Sequence, residues 1–250
     1  MNHPFIIVIL LTCWIFCSHA QEFNIQAPIV MVRAGHNIGG TMPVGLPATI
    51  RSLNSFTPQI APALGADATF MFNNRWGLLT GLRVERKAMR EDATVKNYHM
   101  EIVRGGEHLA GMFTGRVTTR TSHWVAALPV QAVLRVNRVN LKVGPYIAWC
   151  IDNVFDGWAH RGYLRVDDPT GAKIELGEEP DERGDYDFSE DLRRWQVGMC
   201  GGADWNLGGR FGLYADLNWG LSTAFKSGFH TIEQSMYPIY GQLGVTYRIR

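Results

Sequence analysis

Beyond residue 27, hydrophobic and polar side chains alternate with a period of two, and no stretch sustains the 3.6-residue period of a helix. The alternation predicts eight strands, at about 28–38, 58–72, 76–89, 122–136, 139–152, 192–206, 211–225 and 236–250. Three connections are tight: Asn73-Asn74-Arg75, Asn137-Arg138 and Leu207-Gly208-Gly209-Arg210. Asn and Gly there supply the positive φ that hairpin turns need. The other four connections are long, spanning 39–57, 90–121, 153–191 and 226–235. If strands run alternately up and down, every tight turn falls on one rim and every long connection on the other. An all-β, antiparallel up-and-down barrel that crosses a membrane, with short periplasmic turns and long extracellular loops, sorts its connections in this way. Within 90–121, Tyr98 to Val103 and Met112 to Thr121 flank Arg104-Gly105-Gly106, so a further hairpin is expected to project beyond the membrane.

Alternation alone does not say which face points outward. In the sixth strand Trp195, Val197, Met199, Ala203 and Trp205 share one face, with Gln196, Cys200 and Asp204 on the other. A soluble lipocalin-like barrel would turn the apolar face inward around a ligand. Two features favour the inverse. Glycines 65, 77, 81, 144, 198, 202, 212, 220 and 244 lie on the polar face, where a crowded small lumen needs missing side chains. Aromatic residues also mark the strand ends on the apolar face. Trp124, Trp149, Trp195, Trp219 and Tyr237 fall at the long-loop rim, and Trp76, Trp205, Phe211 and Tyr247 at the tight-turn rim. Ten strand residues tilted at ~40° rise ~25 Å, the height of an outer-membrane apolar band between aromatic girdles.

The polar face then lines the lumen. It is expected to carry Arg33, Arg83, Arg135, Lys142, Arg194 and Arg248 against Asp67, Glu85, Asp152, Asp204 and Asp216. An eight-stranded interior is narrow enough for side chains to fill, so such a network blocks better than it conducts. A gated or proton-conducting path is the alternative. Cys150 and Cys200 fall on this same face of neighbouring strands, which leaves open either a cross-strand disulfide or two buried thiols.

Composition sharpens this in two places. The chain has 24 Lys+Arg against 23 Asp+Glu, a net charge of +1, which gives no electrostatic case for nucleic acid. The apolar run from Phe5 to Phe16 is too short to span a bilayer, and Ser18 and Ala20 set small residues before a cut at Gln21. Residues 1–20 therefore read as a cleavable export signal, and 21–250 as one barrel domain. Export brings the barrel to the outer membrane and makes a disulfide chemically permissible.

The C-terminal YGQLGVTYRIR carries a motif: Gln242, Gly244, Tyr247 and Ile249, spaced as polar-x-Gly-x-x-hydrophobic-x-hydrophobic. It resembles the assembly signal of outer-membrane barrels. With LPVQAVLRVNRVNLKVGPYIAW, the mature chain resembles the PorT-like and OmpA/OmpX-like small outer-membrane barrels. The resemblance implies a Gram-negative outer membrane, outer-membrane lipid as surroundings and recognition by the barrel-assembly machinery through the last strand. It also implies secretion-system or surface-protein partners, with an accessory role in protein secretion as one outcome. A monomer without cofactor or metal is expected.

Catalysis would demand more of the sequence. A lipid A-modifying barrel enzyme needs a Ser/His pair with an acidic partner near the outer rim. Ser122-His123, Glu107-His108 and Ser227/His230 offer those residue types without a recognisable spacing. No phosphate loop or CxxC pair occurs. The acidic segment 153–191 lacks calcium-loop spacing and reads as a solvated loop, and its Arg183-Gly184-Asp185 reads as a chance adhesion tripeptide. The expectation is a barrel without catalytic function.

Overall fold

The computed structural model describes residues 27–45, 47–229, 231–232 and 235–249; the expected export signal at 1–20 lies outside the described residues. One antiparallel sheet contains β1 (Ile29–Pro43), β2 (Ile50–Pro58), β3 (Pro62–Met71), β4 (Trp76–Arg104), β5 (Glu107–Val136) and β6 (Val139–Val166). It continues with β7 (Lys173–Leu176), β8 (Gly184–Asp187), β9 (Trp195–Gly208), β10 (Phe211–Gly220) and β11 (Met236–Arg248). Eight of these close a ring in the order β1, β3, β4, β5, β6, β9, β10, β11 and back to β1, where Gly35 lies opposite Gly244. β2 continues the wall above β3, pairing the upper part of β4 from Ile50↔Val95 to Pro58↔Met89.

The turns on the short rim follow from their residues. The Asn73 side-chain oxygen accepts the backbone N–H groups of Arg75 and Trp76 at 2.8 and 2.7 Å, closing the chain back on itself. Asn137 takes a positive φ of 54° between β5 and β6, as its two-residue hairpin requires.

In the lower half of the ring the alternation is inside out relative to a soluble protein. Leu64, Leu82, Val143 and Leu243 are 62, 60, 58 and 57 % exposed, and they form part of a continuous outer surface that only lipid can cover. The inner surface is Arg33, Asp67, Arg83, Lys142, Asp204 and Asp216, all buried.

Above this half the structure departs from the expected loops. β4, β5 and β6 run far beyond the membrane: the projecting hairpin expected within 90–121 is present and longer, over 90–104 and 107–121, while 153–166, expected as connection, is strand. The eighteen residues of β5 from Trp124 to Glu107 climb on the order of 40 Å at the usual rise and tilt. The segment 153–191 also folds: β7 pairs β6, while β8 pairs β6 at Trp158↔Asp185 and β4 at Val103↔Asp185. β8 thereby closes the projecting strands into a smaller outer ring. Its inside is apolar, with Val95, Met100, Ile102, Phe113, Phe155 and Leu164 among the buried residues.

In the projecting parts of β4 and β6 the period of two is reversed once each, and both reversals have a cause. Asn97 and Arg161 each adopt φ 50°, at register shifts between β4 and β5 and between β5 and β6. On β4 the inward positions change there from odd, ending at Val95, to even, at Met100 and Ile102. On β6 they change from Phe155 and Ala159 to Leu164. Each bulge keeps apolar side chains pointing into the outer ring while it scrambles the linear pattern.

Candidate functional site

The lumen is the most organised polar constellation in the molecule. Asp216, on β10, is its hub: Arg33 on β1, Arg83 on β4 and Lys142 on β6 approach its carboxylate to 2.6, 3.5 and 3.0 Å. Arg33 and Arg83 also hold Asp67 at 2.8 and 3.0 Å, and Lys142 holds Asp204 at 2.6 Å. Three cations meet three anions, so the tier is neutral while joining strands from opposite walls. The Arg33 guanidinium lies 3.8 Å from the centre of the Tyr214 ring, which fills the remaining width. Gly81 and Gly202 make the packing feasible. A Cβ at either position would stand 2.3 and 2.1 Å from carboxylate oxygens of Asp67 and Asp216.

A second tier lies toward the outer rim. Lys87 pairs with Glu85 at 3.1 Å, and Glu85 accepts a 2.6 Å hydrogen bond from Gln242. Gln131 accepts from Arg83 at 3.3 Å and donates to the Cys200 carbonyl at 3.3 Å. Lys87 and Gln131 were not among the sequence-predicted lumen residues. The signal for Lys87 was present, since it occupies the next inward position after Arg83 and Glu85.

Four predicted lumen charges lie elsewhere. At the register shift between Trp124↔Asp152 and Val125↔Cys150, Ile151 is the extra residue. Asp152 is thereby turned to the outer face beside Trp124, where it is exposed. Arg194 is exposed in a bend before β9 begins at Trp195, so strand alternation no longer governs it. Arg248 ends β11 at the short rim, exposed, with a 3.3 Å bond to the Gly209 carbonyl. Arg135 is half-buried at that same rim, 3.4 Å from the Asn140 side chain. Cys150 and Cys200 are separate buried thiols, which corrects the disulfide alternative. Cys200 stands opposite Gly144, whereas the Cys150 N–H bonds to the Arg194 carbonyl. Six residues of strand, roughly 20 Å, separate the two heights, far beyond the reach of a disulfide.

The aromatic residues form two exposed bands on the lipid face. Trp124, Trp195 and Trp219 stand at the long-loop rim, with Trp149 edge-on to Trp195 at 4.7 Å. Tyr237, half-buried, lies at the end of β11 on this rim. Trp76 and Trp205 stand at the short rim, where Tyr247 packs 5.1 Å from Phe211 and its hydroxyl accepts from Arg210. Of the C-terminal motif, Gln242 points into the lumen, Gly244 leaves room for the Tyr214 ring, and Tyr247 and Ile249 face outward at the short rim.

The candidate catalytic pairs do not assemble. Ser122 and His123 are neighbours on β5 and point to opposite faces: the Ser122 hydroxyl accepts from Arg86 at 3.0 Å, while His123 is buried 3.0 Å from Asn153. His108 is exposed beside Glu101 at 3.6 Å, and His230 lies outside the described residues. Among the described residues no three His, Cys, Asp or Glu side chains converge to hold a metal ion. In the acidic segment Asp156 pairs with Arg120 at 2.6 Å, Glu175 with Lys173 at 2.8 Å and Glu178 with Arg161. Arg183 and Asp185 of the adhesion-like tripeptide bind each other at 2.8 Å, and Gly184 between them is buried in β8.

On the outside of the projecting ring, Asp92 takes hydrogen bonds from Arg116, Asn54 and Thr118 at 2.7, 2.7 and 3.0 Å. Burial alone would raise its pKa; these bonds outweigh it and hold the carboxyl below the ordinary range. His160, 3.4 Å away, is held below the ordinary imidazole value, with burial outweighing the pull of Asp92.

A family model described as outer membrane protein beta-barrel domain matches residues 20–226. No curated protein matches the sequence. Among solved structures, Ail, the attachment invasion locus protein of Yersinia pestis, aligns at 13 % identity and a TM-score of 0.41, over 90 % of this chain and 100 % of that one. OprG from Pseudomonas aeruginosa aligns at 12 % identity and a TM-score of 0.37, over 90 % and 97 %. Outer membrane protein W of E. coli aligns at 16 % identity and a TM-score of 0.30, over 90 % and 99 %.

Proposed function

The chain belongs to the outer membrane protein beta-barrel domain family, and from that premise we propose that it acts without catalysis, as a closed barrel that carries a folded outer projection for contact with other molecules. The observation that carries this reading is the neutral tier around Asp216. An ion crossing the lumen would have to part Arg33, Arg83 and Lys142 from a buried carboxylate. Removing one partner of such a buried network costs about 3–5 kcal/mol, a barrier that keeps the path shut. In planar bilayers the purified protein is expected to stay silent; steady single-channel currents would sink the proposal.

A narrower role belongs to the same proposal: an accessory of protein secretion, like the PorT-like barrels the sequence resembles. The ordered outer ring favours it over a passive wall, because paired strands hold a fixed surface for a protein partner. Deleting the gene and comparing secreted and surface proteins separates the two, since a passive barrel leaves both sets unchanged. Lipid A of unchanged acylation in the same strain would remove the enzymatic alternative. Residues 1–20 are proposed as the cleaved export signal, and the β11 motif as the handle for barrel assembly. The barrel is proposed to work as a monomer surrounded by outer-membrane lipid.

A further inference from the structure

The interior changes character at Met89. Below it lie the Glu85–Lys87 pair and the charged tiers; above it the outer ring encloses apolar and aromatic side chains. Just above that boundary is a cavity of about 60 Å³. Tyr98, Met100, Phe155, Tyr186 and Phe188 line it, and among the described residues one carboxylate belongs to the lining, that of Glu91.

Glu91 differs from every inward carboxylate of the lumen. Asp67, Glu85, Asp204 and Asp216 each sit within 3.1 Å of a cation. Among the described residues Glu91 has no ion pair or hydrogen bond, although it is largely enclosed. The nearest inward cation on its own strand, Lys87, is two inward positions below, beyond Met89, and is committed to Glu85. The elements around the cavity present Pro43 from β1, Ile50 from β2, Val117 and Thr119 from β5, Phe155 from β6, Tyr186 from β8 and Met236 from β11. Among the described residues Tyr98 and Tyr186 are the other titratable groups in that lining, and no cation faces it. The Tyr186 hydroxyl is taken up by the Thr118 carbonyl at 3.1 Å and Thr119 at 2.7 Å, leaving its ring available to the cavity. That ring stacks on Phe188 at 5.3 Å, and Phe188 lies 6.4 Å from Phe155.

Aromatic faces carry negative potential, and a lone carboxylate in an apolar enclosure adds a full charge of the same sign. Such a surround attracts a cation that is itself apolar at its surface, because that cation loses little hydration on entering. A strongly hydrated metal ion or primary ammonium would lose more and find too few hydrogen-bond acceptors. The volume holds roughly four or five water-sized groups, which matches the five heavy atoms of a tetramethylammonium unit. We propose that the Glu91 cavity is a binding site for a small quaternary or methylated ammonium group, held by the Tyr98, Phe155, Tyr186 and Phe188 rings and neutralised by the Glu91 carboxylate.

The test uses the full mature chain folded in a maltoside detergent, which carries no ammonium group. Choline and its neutral carbon isostere, with tert-butyl in place of trimethylammonium, are titrated by calorimetry at pH 8. Choline is expected to bind at least about tenfold tighter than the isostere. Glu91→Gln keeps the side chain's shape, and in that variant the gap between the two ligands is expected to shrink to the few-fold preference that the rings alone supply. Burial pushes the Glu91 carboxyl up to about 7, so choline must displace a proton at lower pH. Its dissociation constant is expected to rise about tenfold between pH 8 and pH 6 while that of the isostere stays flat. Equal binding of the two ligands by the unaltered protein would overturn the assignment, as would the absence of saturable choline binding. Discrimination that is undiminished in Glu91→Gln, checked for folding by heat-modifiable gel mobility, would overturn the role of Glu91.

Discussion

The same three strands, β4, β5 and β6, build two regions with opposite polarity. Between the aromatic bands their outward residues are Leu82, Leu128 and Val143 and their inward ones Arg83, Gln131 and Lys142. Above the bands the outward residues include Asp92, Arg116 and Asp156, and the inward ones are Met100, Phe113 and Phe155. The hydrogen-bonded ladder continues through the boundary, interrupted between β5 and β6 by the single bulge at Ile151. The solvent changes. A strand in lipid has no hydrophobic drive to hide its apolar side and no water to satisfy its polar side, so it turns its charges inward and pairs them. The same strand in water turns its apolar side inward and lets charges face out.

The first way to break this comparison is to remove the hub of the polar region. Asp216→Ala leaves Arg33, Arg83 and Lys142 with one fewer buried carboxylate among them. The loss is expected to be about 3–5 kcal/mol, read as a drop in the urea midpoint of the barrel in lipid vesicles. A midpoint unchanged from the parent would mean that water has already entered the lumen.

The matching cut in the apolar region is Phe155→Ala. Phe155 is buried and packs edge-on to Phe225 at 4.9 Å. The expected loss is about 3–5 kcal/mol as well, but confined to the outer ring. Heat-modifiable mobility of the membrane barrel should persist while protease cuts appear in the projection. Loss of the mobility shift would show that the two regions fold as one unit.

One substitution can also be compared at two outward positions. Leu243→Arg places a charge at mid-height of the lipid face, where Leu243 is 57 % exposed, and is expected to cost about 2–4 kcal/mol. Ala110→Arg, exposed on β5 far above the girdle, is expected to change stability by less than about 0.5 kcal/mol. Equal costs at the two positions would place Ala110 in lipid and the boundary in the wrong plane.

The two regions also differ in how well the sequence displays them. The lower barrel was legible because each lipid-facing residue marks the face by itself: Trp76 and Leu82, or Trp195 and Val197, fix the parity of a whole strand. Inward Arg33, Asp67, Arg83 and Asp216 followed from that parity. Where a strand ended or bulged, the same arithmetic failed, as at Arg194 and Asp152. The outer ring was hidden for a related reason. At Asn97 and Arg161 a single inserted residue reverses the parity, so Val95 and Ile102 face the same core from positions an odd number apart. Charged outward residues such as Asp156 made the segment 153–166 look like solvated loop. Glu91 could not be singled out from one strand, because its isolation depends on apolar side chains brought by six other strands.

Glu91 supplies the finest test of the difference, since among the described residues it is the acid that lines the apolar interior of the outer ring. In the unfolded chain its carboxyl titrates at its ordinary value of 4.5, and burial in the outer ring pushes it up to about 7. Below the ordinary value both states hold the proton and the group is neutral in each. As pH rises between the two values the folded state keeps a proton that the unfolded chain has released, so stability falls. Above about 7 the folded state carries the buried charge and the penalty is complete. The difference amounts to at most about 3 kcal/mol. Glu91→Gln removes the titration and leaves the shape, so it should match the parent at pH 4 and exceed it at pH 8. Hydrogen exchange of β4 and β5 amides above the girdle reads this locally, while amides between the aromatic bands serve as the internal reference. A gain of equal size in both sets of amides would tie Glu91 to the lumen network instead of the outer ring. No gain at pH 8 would mean that the carboxylate already has a partner that neutralises it.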